Sequence, residues 1–181
     1  MDNYPDIIER CKQREQEAQI EFYSLFCKSV YASCFRILGN AEEAEDIMQE
    51  TFIKILNNPE RYDTDQEGMR RILNRIAVNA SIDRYRKKKK NRFTELKDNY
   101  DYSEDFSEDT ETEIQMKLEA IYRNLSLLPE GYRVILSLHL IEGMEYQEIA
   151  KKLKISASTV RSQFTRAKAK LIELIQNDRI S

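Results

Sequence analysis

The sequence predicts an all-α protein of two small helical domains joined by an acidic flexible linker. Three observations predict it. Apolar residues recur at three- and four-residue spacing through most of the chain. Four Gly and three Pro among 181 residues leave few tight turns and little room for sheet. Residues 91–112 break the pattern: rich in Asp, Glu, Ser, Thr and Tyr, they bury too little surface to fold alone. The expected boundaries are 1–90, 91–112 and 113–181, and each folded part is large enough for a helical core.

The elements follow in order. A short first helix is expected over 6–14 and a longer one over 15–38, with Ile20, Tyr23, Phe26, Val30, Cys34 and Ile37 at helical spacing. Gly39 stands where a helix ends. Asn40 then caps a third helix, with Glu43 three residues on as in a capping box. Asn57-Asn58-Pro59 stops that helix, and 59–68 reads as a polar loop. The next helix spans 69–90, with Ile72, Ile76, Ala80 and Asp83 on one stripe and Leu73, Ala77 and Ala80 beside it. Beyond the linker, helices are expected at about 113–126, 130–141, 145–152 and 157–175.

Net charge is −3, but the sign is segregated. Residues 41–50 carry five acids and no base, and 70–92 carry ten bases against Asp83 alone. Residues 95–113 carry nine acids against Lys97, and 151–170 carry seven bases and no acid. Two basic blocks parted by an acidic one point to two nucleic-acid contact sites on two modules. No apolar run approaches the roughly 20 residues that span a bilayer, and the N-terminus lacks a signal-peptide pattern, so a cytoplasmic protein without membrane insertion is expected. Cys11, Cys27 and Cys34 lack zinc-site spacing, and Cys27 and Cys34, seven apart on one helix face, read as a pair of small core residues.

Three motifs carry chemistry. Glu145–Leu153, the turn Lys154-Ile155-Ser156 and the helix from Ala157 form a helix-turn-helix, with Ile149, Ala150 and Leu153 inward and Ile155 and Val160 closing the corner. Its outward Ser158, Arg161, Ser162, Thr165 and Arg166 suit base edges and phosphates in a major groove. The second motif is the acidic helix from Asn40. Ala44, Ile47, Met48, Thr51, Phe52 and Ile55 face in, while Glu42, Glu43, Asp46, Gln49 and Glu50 stay outside as a docking surface for a basic partner. Helical carboxylates at this spacing also suit metals, but the one histidine, His139, lies in the other module, so no metal is expected. The third is the basic helix ending in Arg84–Lys90, which draws phosphates, with Tyr62 and Tyr85 as candidates to stack on unpaired bases.

In this order the motifs resemble the sigma-70 family, specifically the short extracytoplasmic-function (ECF) RNA polymerase sigma factors. Ala44-Glu45-Asp46-Ile47-Met48-Gln49-Glu50-Thr51-Phe52 matches the family's region 2.2 signature. Ile72–Asn79 with Asp83–Arg86 resembles regions 2.3–2.4, and Leu128-Pro129 through Arg166-Ala167 resembles region 4. The resemblance implies promoter-specific initiation with core RNA polymerase and no cofactor. It implies docking on the polymerase β′ coiled coil through Glu43, Asp46, Gln49, Glu50 and Phe52. It implies single-stranded −10 binding, with an extruded base trapped by the 59–68 loop and the helix after it, through Tyr62, Arg75, Asn79, Asp83, Arg84, Tyr85, Arg86 and Lys87. It implies duplex −35 reading through Ser156, Ser158, Thr159, Arg161, Ser162, Thr165, Arg166 and Lys168, with region 4 on the β flap. The family also adds an anti-sigma factor as a partner class, which no residue of the chain itself points to.

Departures from the family pattern are modest. Ile72 stands where Trp is usual, and Glu145 replaces a Ser or Thr cap. Lys154 stands where Gly is common, so a left-handed backbone there implies about 1–2 kcal/mol of strain. A stand-alone helix-turn-helix regulator explains residues 145–170 but leaves the acidic and basic helices without a role. An enzyme is disfavoured: there is no Ser–His–Asp set or glycine-rich phosphate loop, and His139 follows Leu138 in an apolar helix as a structural histidine would.

Overall fold

The computed structural model describes residues 4–62, 64–90, 121 and 123–178. The chain divides into two units, residues 1–85 and 86–181, and the described residues contain helices and no strand. The expected linker, 91–112, and the start of the helix expected at 113 lie outside the described residues.

In the first unit α1 covers Tyr4–Lys12, α2 Gln16–Leu38, α3 Ala41–Leu56 and α4 Gln66–Lys90, the last running past the division between units. A single 3-10 turn, Pro59–Arg61, lies between α3 and α4. The core is aromatic at its centre. Phe22 and Phe26 are fully buried, and Phe22 meets Phe26 and Phe52 edge-on at 5.1 and 6.0 Å. Each such ring contributes about 1.5–3 kcal/mol by burial alone. Tyr4, Ile7, Ile8 and Cys11 bring α1 onto the same core. Gly39 adopts the left-handed conformation that ends α2, its amide bonded to the Phe35 carbonyl at 2.7 Å.

The start of α4 corrects the expected boundary. The helix begins at Gln66, not 69, because the Asp65 carboxylate accepts the Gly68 amide at 2.7 Å and so caps the first turn. Gly68 lets the chain pass close to Thr64: a β-carbon there would collide with the Thr64 hydroxyl unless that side chain moved. The buried row of α4 is the second of the two expected, the one through Leu73 and Ala77, and not the stripe through Ile72 and Ile76. Leu73, Ala77, Ser81 and Tyr85 are buried at four-residue intervals, while Ile72, Ile76 and Ala80 are only partly buried beside them.

In the second unit residues 123–127 are helical, followed by α5 Glu130–Leu136, α6 Tyr146–Leu153 and α7 Ala157–Asp178. The helix expected over 130–141 does reach Ile141, but its end widens into a π turn over Ser137–Ile141, with the Glu142 amide on the Ser137 carbonyl at 3.1 Å. Leu125, Leu128, Tyr132, Leu136, Ala167 and Leu171 form a buried cluster.

Candidate polymerase- and DNA-binding faces

The acidic helix begins where its capping residue dictates. The Asn40 side chain accepts the Glu43 amide at 2.9 Å, which satisfies one of the first unpaired amides of α3. From that start, helical periodicity turns Ala44, Ile47, Met48, Thr51, Phe52 and Ile55 into the core. The same rotation leaves Glu42, Glu45, Asp46, Gln49 and Glu50 exposed, and Glu43 half-buried. Phe52 faces in, as the helical spacing predicts, which takes it out of the docking contacts that the resemblance implies. It is 3% exposed, with Tyr23 at 4.8 Å and Phe22 beneath, so it anchors the acidic face from below. The reason is position: four residues after Met48, it falls on the buried stripe.

On α4, Arg75, Asp83 and Lys87 are exposed, and Asn79, Arg84 and Arg86 are half-buried. Tyr62 is half-buried just after the 3-10 turn and packs on the core. Tyr85 is 4% exposed, so its ring is closed to base stacking; it continues the row Leu73, Ala77, Ser81. Thr64, Gly68, Arg71, Ile72 and Arg75 line an open cavity of about 460 Å³ at the start of α4. Ile72 gives the lining an apolar side chain and Arg71 and Arg75 give it two guanidiniums, a combination that suits a flat ring attached to a phosphate.

Sequence reasoning missed one connection. Arg84, expected on the DNA side, reaches the acidic helix: its Nη1 lies 3.7 Å from Asp46 Oδ2 and its Nη2 3.7 Å from Glu50 Oε1. No periodicity signals it, since it joins residues more than thirty positions apart on two different helices.

In the second unit, α6 and α7 form the helix-turn-helix. Ile149 and Val160 are fully buried at the crossing and Ala150 is buried beside them, whereas Leu153 and Ile155 are only partly buried. Lys154 holds the left-handed conformation at φ 57°, as its position after α6 requires. Glu145 makes no side-chain cap, so α6 starts without one. Ser156 caps α7: its Oγ accepts the Thr159 amide at 3.0 Å and bonds the hydroxyls of Ser158 and Thr159 at 2.8 and 2.7 Å. Arg161, Ser158, Ser162 and Thr165 are exposed, and Thr159, Arg166 and Lys168 half-buried. Ser162 and Thr165 spend their protons within the helix, donating to the Thr159 and Arg161 carbonyls at 3.0 and 3.1 Å, which leaves their oxygens as acceptors.

His139 ties the π turn to both helices. Its Nδ1 donates to the Met144 carbonyl at 2.8 Å, and its ring packs 4.5 Å from Tyr146 and 4.8 Å from Phe164. Among the described residues no group of three or more His, Cys, Asp or Glu could hold a metal, and no helix is long and apolar enough to cross a membrane.

Comparison with known proteins bears on the same segments. Residues 22–91 match the family model described as sigma-70 region 2, and residues 118–171 match that described as sigma-70, region 4. The chain is 30% identical over 174 residues to the ECF RNA polymerase sigma factor SigW of Bacillus subtilis, covering 91% of this chain and 92% of that protein. It is 32% identical over 148 residues to the ECF RNA polymerase sigma factor SigE of Mycolicibacterium smegmatis, covering 78% of this chain and 55% of that longer protein. A solved structure of the sigma factor RpoE from Bartonella quintana, in complex with the anti-sigma factor NepR, aligns over 86% of this chain and 95% of that one, at 17% identity and a TM-score of 0.47.

Proposed function

The chain belongs to the sigma-70 family as an ECF RNA polymerase sigma factor, and we propose how its residues divide that work. It binds core polymerase, directs initiation at promoters and catalyses no reaction of its own. The docking surface is the outward side of α3, with Asp46, Gln49 and Glu50 at its centre and Glu43 at its edge. The −10 strand runs along α4 past Arg75, Asn79, Asp83, Arg86 and Lys87, with Tyr62 nearby. The cavity at Gly68 and Ile72 takes the extruded base. The −35 duplex is read by α7 through Arg161, Ser158, Ser162 and Thr165, with Ser156, Thr159, Arg166 and Lys168 on phosphates and α7 geometry. A protein engaged with polymerase and chromosome works in the cytoplasm.

One observation carries this reading: a single chain presents an outward acidic helix and an outward helix-turn-helix, each within a segment matched to the family. A stand-alone regulator has no use for the first. The test is DNA binding with and without core enzyme. The expected result is weak promoter binding by the chain alone and strong binding by the mixture. Equally strong binding without polymerase would favour the stand-alone regulator.

A further inference from the structure

We propose that Arg84 is a positioning residue shared between the two faces of the first unit. In the unbound chain it is held on the acidic face of α3, and docking of a partner there hands it over to the DNA backbone. Polymerase docking and −10 binding are thereby coupled through one guanidinium. The proposal rests on the docking role assigned to α3 above.

The geometry sets the sharing. Asp46 and Glu50 stand one helical turn apart, and the Arg84 fork faces one with each terminal nitrogen at 3.7 Å. That separation permits ion pairing but exceeds ordinary hydrogen-bond length, so no directional bond locks the group. Asp46 and Glu50 are 54% and 65% exposed and Arg84 30%, so water screens the pair and a partner reaches both acids. The attachment is weak enough to exchange and strong enough to bias. On the other side, Arg84 opens the basic run that continues through Arg86, Lys87, Lys88 and Lys89, so a released guanidinium joins an existing phosphate-attracting edge. Occupation of Asp46 and Glu50 by a cationic partner removes what holds Arg84. By linkage, DNA that captures Arg84 uncovers the two acids for the partner.

The test uses the full chain and two titrations. In the first, fluorescence anisotropy follows a labelled mixed-sequence single-stranded 20-mer without polymerase. Asp46→Asn/Glu50→Gln is compared with Glu42→Gln/Glu45→Gln, which removes the same charge from exposed positions of the same helix. The expected result is tighter binding by the first pair, about 3-fold beyond the control as befits one screened ion pair. That excess disappears in an Arg84→Gln background and is largely retained with Arg84→Lys. Equal tightening by both pairs, or an excess that survives Arg84→Gln, overturns the hand-over and leaves the docking role standing. In the second titration, core polymerase is added without DNA. Asp46→Asn/Glu50→Gln is expected to weaken association and Arg84→Gln to strengthen it. Unchanged association of the double variant overturns the docking role, and with it the coupling. Weaker association of Arg84→Gln, with melting temperature unchanged, makes Arg84 a polymerase contact and likewise overturns the proposal.

Discussion

The Asn40 side-chain oxygen accepts the Glu43 amide at 2.9 Å, and this contact sets the rotation of the acidic helix. Without it, the helix would begin with the Glu43 amide unsatisfied. Asn40→Ala is expected to cost about 1 kcal/mol. On a unit of this size that lowers the melting temperature by about 4–8 °C. Thermal unfolding followed by circular dichroism checks it, and Asn40→Ser should recover most of the loss.

Strain in the helix-turn-helix is open to relief. Lys154 is exposed and sits at φ 57°, where a β-carbon is unfavourable. Lys154→Gly is expected to raise stability by about 1 kcal/mol. Lys154→Ala keeps the β-carbon and removes the charge, so it should change stability little. A gain from alanine equal to that from glycine would assign the effect to charge.

Buried and exposed members of the acidic motif should separate cleanly. Phe52→Ala removes a ring packed on Phe22 and Tyr23 and is expected to cost about 3–5 kcal/mol. Gln49→Ala, on the exposed side, should leave the melting temperature unchanged and weaken polymerase association. Chemical denaturation and a pull-down with core enzyme distinguish the two.

The cysteines differ in reach. Cys11 and Cys34 are buried and Cys27 is half-buried, and none of the three forms a disulfide. Burial pushes the Cys11 thiol above its ordinary pKa, the nearby Arg10 opposing and Glu21 and Glu15 adding to the rise. The folded state therefore keeps the proton that the unfolded chain gives up first. Stability from this group is intact below the unfolded thiol's pKa and falls as pH rises towards the folded one. Iodoacetamide at neutral pH is expected to label Cys27 first, read by peptide mass spectrometry. Cys11→Ser should flatten the alkaline loss of stability.

In the second unit, Arg161 is exposed and makes no ion pair among the described residues. Arg161→Ala is expected to cost about 1–3 kcal/mol at a −35 element if it bonds a base edge. A loss equal on all sequences would make it a phosphate contact.

The legible parts were those that local periodicity controls. The inner stripe of α3, the stop at Gly39, the cap at Asn40 and the left-handed Lys154 all follow from spacing and side-chain chemistry within a few residues. The start of α4 did not, because Gly68 reads as a loop residue until Thr64 is seen pressed against it. The π turn at Ser137–Ile141 has no compositional mark. Tyr85 reads as a stacking residue by type, and the resemblance makes Phe52 a docking contact, yet packing places both rings inside, as helical spacing already indicates for Phe52. The Arg84 pairing lies between helices, where a linear reading carries no information.

Run-off transcription with purified core enzyme on genomic fragments tests the central claim most directly. Addition of the chain should produce new transcripts from discrete start sites, and Asp46→Arg should abolish them while the protein stays folded. Transcripts identical with and without the chain would contradict the account.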